Sequence, residues 1–366
     1  MKTETYYRSW NPLAINRRHA GILFVLSTIL CTAPGLLGAE KLAEFREPFS
    51  FPSFSLDEDR IYVWDDSCVV HIYSRNNFAH LGQFGRKGQG PAEFQFIAYI
   101  HVLPDRLCIG SGQKISYFSK DGKFLKTFTN PNATTGGYMS LGSNFVGTRY
   151  LPGDPKNSLV TIAISLYDPK FDLVKELYRA NIHKAMVYNF ENEKQDVWVV
   201  RDCFKYEVWD DRLYVGNTGE GFFFAVFDGR GERLYDINRS YEKRKISAGD
   251  IKNMMAEFRE ILGEQEFKRR KNIINDYLFA EYYPAYADFL IADGKLYTFS
   301  YPVPNRPILT TIMDLRGNLL RAVEIPESER HGPYGRQFYC VQKGKYYHIL
   351  YNYESDKWEL YVEDLK

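Results

Sequence analysis

The sequence predicts an all-β fold: a six-bladed antiparallel β-propeller with a helical insertion between blades four and five. Three observations predict it. Phe, Trp and Tyr supply 16% of the 366 residues while Met numbers only 6, and aromatic residues favour strands. A phrase of apolar strands and polar turns recurs along the chain. The last copy of that phrase ends one strand short, and a spare strand-like segment, Lys41–Phe51 (KLAEFREPFSF), precedes the first.

The copies read as follows. The first is Arg60–Asp65 (RIYVWD), Val69–Tyr73 (VVHIY) and Ala79–Phe84. The second is Arg106–Gly110 (RLCIG), Ile115–Phe118 (ISYF), the turn Ser119-Lys120-Asp121-Gly122 and Phe124–Phe128. The third is degenerate: Asn144–Arg149, Val160–Tyr167 and Leu173–Tyr178. The fourth is Asp211–Gly216 (DRLYVG), Phe222–Phe227 (FFFAVF), the turn Asp228-Gly229-Arg230-Gly231 and Arg233–Ile237. The fifth is Gly294–Phe299 (GKLYTF), Leu309–Met313, the turn Asp314-Leu315-Arg316-Gly317 and Leu319–Val323; the sixth is Lys345–Tyr351 and Trp358–Val362. Alternation with period two around Asp-Gly turns is the pattern of antiparallel hairpins. Four-stranded units at a spacing of about 45–60 residues are propeller blades. One blade cannot bury both faces alone, whereas a closed ring can. Lys41–Phe51 is expected to supply the outer strand of blade six, closing the ring and removing a free edge.

The domain reading is a signal peptide over residues 1–39 and a propeller over residues 41–366, with the helical insertion at 247–281. Residues 1–20 carry Lys2, Arg8, Arg17 and Arg18 against the single acid Glu4. Gly21–Ala33 (GILFVLSTILCTA) has no charge, Pro34-Gly35 breaks it, and Leu37-Gly38-Ala39 precedes Glu40. That is the order of an export signal, with cleavage after Ala39. The rival is an uncleaved anchor, but the apolar run stops short of the roughly 20 residues that a spanning helix needs. Leu30 stands where a lipobox needs Gly, Ala or Ser, which disfavours lipidation at Cys31. The expected location is therefore exported: periplasmic, cell-surface or secreted, with no stable membrane insertion after cleavage.

Lys and Arg total 47 against 46 Asp and Glu, and loss of the signal leaves a formal charge of −2. No cationic excess is available to neutralise phosphates, so nucleic acid is not an expected partner. Gly (27) and Pro (16) stand at ordinary levels, which excludes collagen-like and low-complexity classes. Cys68, Cys108, Cys203 and Cys340 are widely spaced within apolar runs, without a CxxC pair. A zinc site is not expected; an exported protein could oxidise these thiols, but buried free thiols are the expectation.

Gly85-Arg86-Lys87-Gly88-Gln89-Gly90-Pro91-Ala92-Glu93-Phe94 follows the first copy. It resembles the G-x-x-G-x-G-x-x-x-F linker of NHL-repeat propellers and of related exported six-bladed propellers of bacteria. The preceding IYVWDDSCVVHIYSRNNFAHLGQFG is similar to the NHL pattern of a Tyr-Val-x-Asp strand end, a second strand and a closing Phe-Gly. The match is good over Leu56–Phe128, partial in units four and five, and poor in three and six. The resemblance implies a propeller, and for some members an amidating-lyase or lactonase activity with metal in the channel. Their ligand pattern is not recognisable here, so no catalytic residue, metal ligand or cofactor is carried over. The linker glycines are expected to allow positive φ where the chain leaves an outer strand. As a phosphate cradle the linker lacks the Lys-Ser/Thr of a P-loop.

Residues 247–281 depart from strand grammar. Ser247-Ala248-Gly249-Asp250 has capping-box spacing, with Asp in the Glu/Gln place. Ile251, Met254, Met255, Phe258, Ile261 and Leu262 recur at helical spacing before Gly263, and a second helical run is expected from Glu264. The basic run Lys268–Lys271 reads as a solvated helix face.

No G-x-S-x-G and no HExxH occurs. The histidines are scattered, and Asp65-Asp66 and Asp210-Asp211 lack EF-hand spacing and read as turn caps. The candidate binding residues lie on connections from the end of one unit to the start of the next, which share one face of a propeller: Arg86, Lys87, Tyr138, Tyr282, Tyr286, Arg330, His331, Tyr334 and Arg336. Arg and Tyr suit recognition, and packing at inter-blade seams is the other use for such residues. The expected function is a non-catalytic exported propeller binding a protein, peptide or glycan at the channel mouth, beneath the helical insert. The alternative is a channel-metal hydrolase or lyase.

Overall fold

The computed structural model describes residues 39–50, 52–129, 138–151, 159–183, 202–262, 264–265, 267–268, 281–301, 307–325, 339–352 and 354–365. Residues 1–38, all but the last of the expected signal segment, lie outside them, as does most of the expected second helical run. Six four-stranded antiparallel sheets form a β-propeller. Strand β1 (Glu40–Glu44) comes first. Blade one follows with β2 (Ser53–Leu56), β3 (Arg60–Trp64), β4 (Val70–Ser74) and β5 (His80–Phe84). Blade two has β6 (Tyr99–Val102), β7 (Leu107–Ser111), β8 (Lys114–Phe118) and β9 (Phe124–Thr129). Blade three has β10 (Met139–Leu141), β11 (Asn144–Leu151), β12 (Leu159–Tyr167) and β13 (Leu173–His183). Blade four has β14 (Phe204–Trp209), β15 (Arg212–Asn217), β16 (Phe222–Phe227) and β17 (Arg233–Arg239). Blade five has β18 (Asp288–Ala292), β19 (Lys295–Phe299), β20 (Ile308–Asp314) and β21 (Leu319–Ile325). Blade six has β22 (Tyr339–Gln342), β23 (Lys345–Asn352) and β24 (Lys357–Asp364), with β1 as its outer strand.

Period-two alternation feeds two seams from each strand. Along β3, Ile61 and Val63 join an apolar cluster with blade six, while Tyr62 and Trp64 join one with blade two. Along β16, Phe223, Ala225 and Phe227 pack towards blade three, and Phe222, Phe224 and Val226 towards blade five. Six such clusters fill the six seams. Aromatic rings dominate them: Tyr62, Phe54, Phe94, Phe118, Phe224, Phe289 and Tyr297 are among the fully buried side chains. Each large ring removes on the order of 150–250 Å² from water, which is why 16% aromatic composition suits this architecture. Cys68, Cys108 and Cys340 are buried, Cys203 is partly so, and all four are free thiols.

The hairpin between the third and fourth strands of a blade is built the same way wherever Asp leads it. Asp228 Oδ1 accepts from the backbone N–H of Arg230 (2.9 Å) and Glu232 (2.8 Å). Asp314 does so from Arg316 (2.8 Å) and Asn318 (2.9 Å). Asp168 repeats the pattern with Lys170 (2.8 Å) and Asp172 (2.9 Å). The fourth turn residue has positive φ, and it is Gly122 (81°), Gly231 (75°) or Gly317 (86°) in three blades. In blade three it is Phe171 (φ 67°), whose ring stacks on Phe145 at 4.8 Å in the seam. Packing there outweighs the backbone preference. That substitution is what made the third repeat hard to read, although it has the longest strands.

The ring closes as expected. Strand β1 pairs antiparallel with β24, Glu40 opposite Val362 and Glu44 opposite Glu359. Beyond β1, Phe45 N donates to Trp358 O (2.9 Å) and Trp358 Nε1 donates to Phe49 O (2.9 Å). Phe45 and Phe49 are buried in the seam between blades six and one. The insertion starts with helix α1 (Ala248–Leu262). Its capping box is reciprocal: Asp250 N donates to Ser247 Oγ (3.0 Å) and Ser247 N to Asp250 Oδ2 (2.9 Å).

Deleting Lys41–Phe51 is expected to uncover β24 and the seam beneath it. It should broaden and lower the thermal transition, and a melting curve identical to wild type would refute the closure. In the seam between blades five and six, Glu363 is buried 3.7 Å from the likewise buried His348 Nδ1, and its Oε1 has no hydrogen-bond donor among the described residues. Burial pushes its carboxyl up to about 7 from 4.5. The folded state therefore keeps a proton that the unfolded chain releases, and stability from this group falls as pH rises from 4.5 through 7. Glu363→Gln should stabilise the protein by about 1–3 kcal/mol at pH 8 and by little at pH 4, as read from denaturant melts at both pH values.

Candidate functional site

Strand order places every connection from an outer strand to the next inner strand at the same end of the ring. The Gly85–Phe94 linker is one of these. Phe94 is fully buried between blades one and two. Gly85 has φ +83°, and a Cβ there would stand 2.7 Å from the Phe94 ring and 2.8 Å from Cys68 O. Gly88 and Gly90 are small for a different reason: the Glu93 carboxylate fills the space where a Cβ would go. Glu93 accepts from Gly90 N (2.7 Å) and pairs with Arg86 at 2.6 Å. The Gly90 N–H, then Arg86, hold its carboxyl below the usual range. Glu93 is thus a clamp within the linker. Arg86 remains mostly exposed beyond that pair, and Lys87 is exposed.

The insertion leaves and rejoins the same face through a short two-stranded ladder. Ile246 N donates to Glu281 O (3.0 Å), Tyr283 N donates to Arg244 O (2.9 Å), and Lys245 bridges Tyr282. Above it Ile246 and Tyr283 are buried against Ile251 and Met254 of α1 and Tyr301, which follows β19 of blade five. The Arg244 guanidinium lies 4.0 Å over the Tyr283 ring. Tyr282 is exposed beside this base.

The other expected site residues separate. Tyr138 and Tyr286 are only 4% and 1% exposed. Tyr138 meets Tyr167 and Phe171 edge-on in the seam between blades two and three. Tyr286 stacks on Phe224 at 5.0 Å and donates to Phe223 O (2.9 Å). Both follow long connections and enter the ring at once, so their rings fill seams. Arg330, His331, Tyr334 and Arg336 lie outside the described residues. Asp65 caps its turn by accepting from Ser67 N (2.9 Å) and also takes Ser50 N (2.8 Å), whereas Asp211 reaches to blade three and accepts from Gly142 N (3.1 Å).

Sequence reasoning missed a polar cluster on the inner strands. Lys205 Nζ of β14 stands 2.9 Å from each of Glu207 Oε1, Asp288 Oδ1 of β18 and the Phe289 carbonyl. The Tyr339 hydroxyl of β22 donates to Asp288 Oδ2. Burial works against the Lys205 charge, but Asp288 and Glu207 outweigh it and hold the ammonium above its usual range. His101 of β6, two blades away, feels both Glu207 and Lys205, with burial lowering its pKa. Because β14, β18 and β22 are the inner strands of their blades, the cluster faces the channel. The available signal was the charged pair Lys-x-Glu on an inner strand whose counterparts are mostly apolar. Two carboxylates here share one ammonium. Among the described residues, they do not converge with a third ligand into a metal-holding group.

No family model and no curated protein matches the chain. Solved structures do. A protein of Bacteroides fragilis described as exported is 12% identical, with a TM-score of 0.51, over 91% of this chain and 97% of that one. At that identity the likeness shows the fold alone. BamB from Moraxella catarrhalis aligns with 89% of this chain and 99% of its own at 12% identity, with a TM-score of 0.37; that is too low to carry an argument.

Lys205→Met should leave two channel carboxylates facing each other without a counter-charge. We expect a loss of about 1–3 kcal/mol, between the values for exposed and buried pairs. Asp288→Asn in the same chain should restore part of it. Additive losses in this double-mutant cycle would show that the residues do not act as a unit.

Proposed function

We propose that the protein is an exported, non-catalytic propeller that captures a protein, peptide or glycan partner on the face carrying the inter-blade connections. The observation that carries this reading is Lys205. Its ammonium occupies both channel carboxylates, so a catalytic cation there would first have to displace it, which disfavours the channel-metal alternative. What the ring offers instead is a rigid frame with long connections at one end, an arrangement suited to recognition.

Arg86, Lys87 and Tyr282 are the described candidates for contact, with Arg330, His331, Tyr334 and Arg336 on the connection from β21 to β22 completing the proposed set. The α1 insertion rises from the same end and narrows the approach. Arg presents a planar fork, and Tyr combines an apolar body with a polar tip, so the partner should be anionic or polar. The charged, apolar and small-residue order of residues 1–39 supports export, and the Bacteroides fragilis protein described as exported has the same fold. The linker, with Gly85 turning and Phe94 anchored beneath it, supports kinship with NHL-type propellers. Among the described residues no helix is long and apolar enough to cross a membrane.

Capture from the exported fraction tests the reading. The Arg86→Ala, Lys87→Ala, Tyr282→Ala triple variant should stay folded, losing only the small stabilisation of the exposed Arg86–Glu93 pair, and should lose partner recovery by roughly five- to thirty-fold, the scale of one or two interface anchors. Recovery should fall further as ionic strength rises, because exposed charges are screened. Equal recovery by wild type and variant would sink this site.

A further inference from the structure

Two histidines that look scattered in sequence are brought together by the hairpin between the third and fourth strands of blade one. His71 lies on β4 and His80 on β5, and His71 Nδ1 stands 3.4 Å from His80 Nε2. Glu47 reaches the same spot from the segment that leaves β1, and a ligand atom from each of the three lies within 4.8 Å of the others. His71 and Glu47 are partly buried and His80 is exposed.

We propose that Glu47, His71 and His80 bind a divalent transition-metal ion of the zinc class, which clamps the ring-closing segment onto blade one. The spacing fits. Zinc–nitrogen bonds of about 2.0–2.1 Å at a tetrahedral angle put two ligating nitrogens about 3.3 Å apart. The same spacing is long for a good hydrogen bond between the rings. Two imidazoles and one carboxylate suit zinc, copper or nickel and not calcium or magnesium, which take oxygen ligands. The Glu47 carboxylate is already oriented, because the Tyr73 hydroxyl donates to its Oε2. A partner of this kind fixes a metal ligand's direction. The Phe49 ring meets His71 edge-on at 5.1 Å, and Phe45 packs on Tyr73 at 5.2 Å, so apolar walls stand on the inner side. Exposed His80 leaves the fourth position to water.

Location gives the ion its role. β1 belongs to blade six by pairing with β24, whereas β4 and β5 belong to blade one. An ion held by Glu47 and the two histidines therefore ties together the two blades that meet at the closure. It would sit at the rim, where the connection from β1 to β2 sets out, rather than among the inner strands.

The test uses the full exported chain without a histidine tag, stripped of metal and titrated with zinc. One equivalent per chain should bind, and the melting temperature should rise by roughly 3–6 °C at a hundredfold excess over the dissociation constant. Amide exchange over Glu40–Glu44 should slow. His80→Gln, an exposed change that leaves the metal-free melting curve intact, and Glu47→Gln should each weaken binding at least about tenfold. Cobalt in place of zinc should give the intense visible bands of a four-coordinate ion. Wild-type affinity in His80→Gln would place the ion elsewhere and overturn the site. Binding that leaves exchange at Glu40–Glu44 unchanged would overturn the clamp.

Discussion

The pairing of β1 with β24 is the constraint on which the rest of the molecule depends. Every blade buries both of its faces, and each of the six seam clusters is shared by two blades. No blade is therefore complete without two neighbours. Five seams form between units adjacent in sequence, but the sixth must join the two ends of the propeller. The chain makes that joint twice over. Strand β1 completes blade six by backbone hydrogen bonding, and Phe45 and Phe49 then cross into the seam with blade one. Trp358 is held from both sides, by Phe45 N and Phe49 O. Contacts spanning some three hundred residues must form together, so closure makes the ring one cooperative unit.

Closure also divides the molecule into ends with different freedom. At one end, hairpins between third and fourth strands are short, and in three blades their own Asp side chains, Asp168, Asp228 and Asp314, cap them. They leave little room for variation. At the other end the chain travels from the rim of one blade to the axis of the next. The helical insertion and the glycine-rich linker both belong to this end. A ring stabilised by its seams can carry such loops without loss of fold, and this is the physical basis for placing recognition there.

The channel and the closure seam use polar groups in different ways. In the channel Lys205 draws Glu207 and Asp288 from neighbouring inner strands into a shared charge network, which ties blades together at the axis. At the rim Glu47, His71 and His80 converge with no cation of the protein among them. In the first arrangement both carboxylates already hold a cation of the chain, whereas the second presents donor atoms to an ion.

The sequence by itself determined everything that repeats locally. Strand alternation, Asp-led turns, the Ser247–Asp250 capping box and the spare strand at Lys41 each follow from neighbouring residues, and together they imply six blades and their closure. Unit three was obscured because Phe171 takes the turn position that Gly holds elsewhere, a choice made by a ring stacked on Phe145. The tertiary structure alone decided which side chains meet across seams. Tyr138 and Tyr286 look like surface aromatics by position in the chain, yet the seams take them. Lys205 and Asp288 are 83 residues apart, and Glu47 is far in sequence from the His71–His80 hairpin. Period two fixes only the face of a strand on which a residue stands. What that residue touches is set by how twisted sheets dock against one another, and no short-range pattern encodes that register.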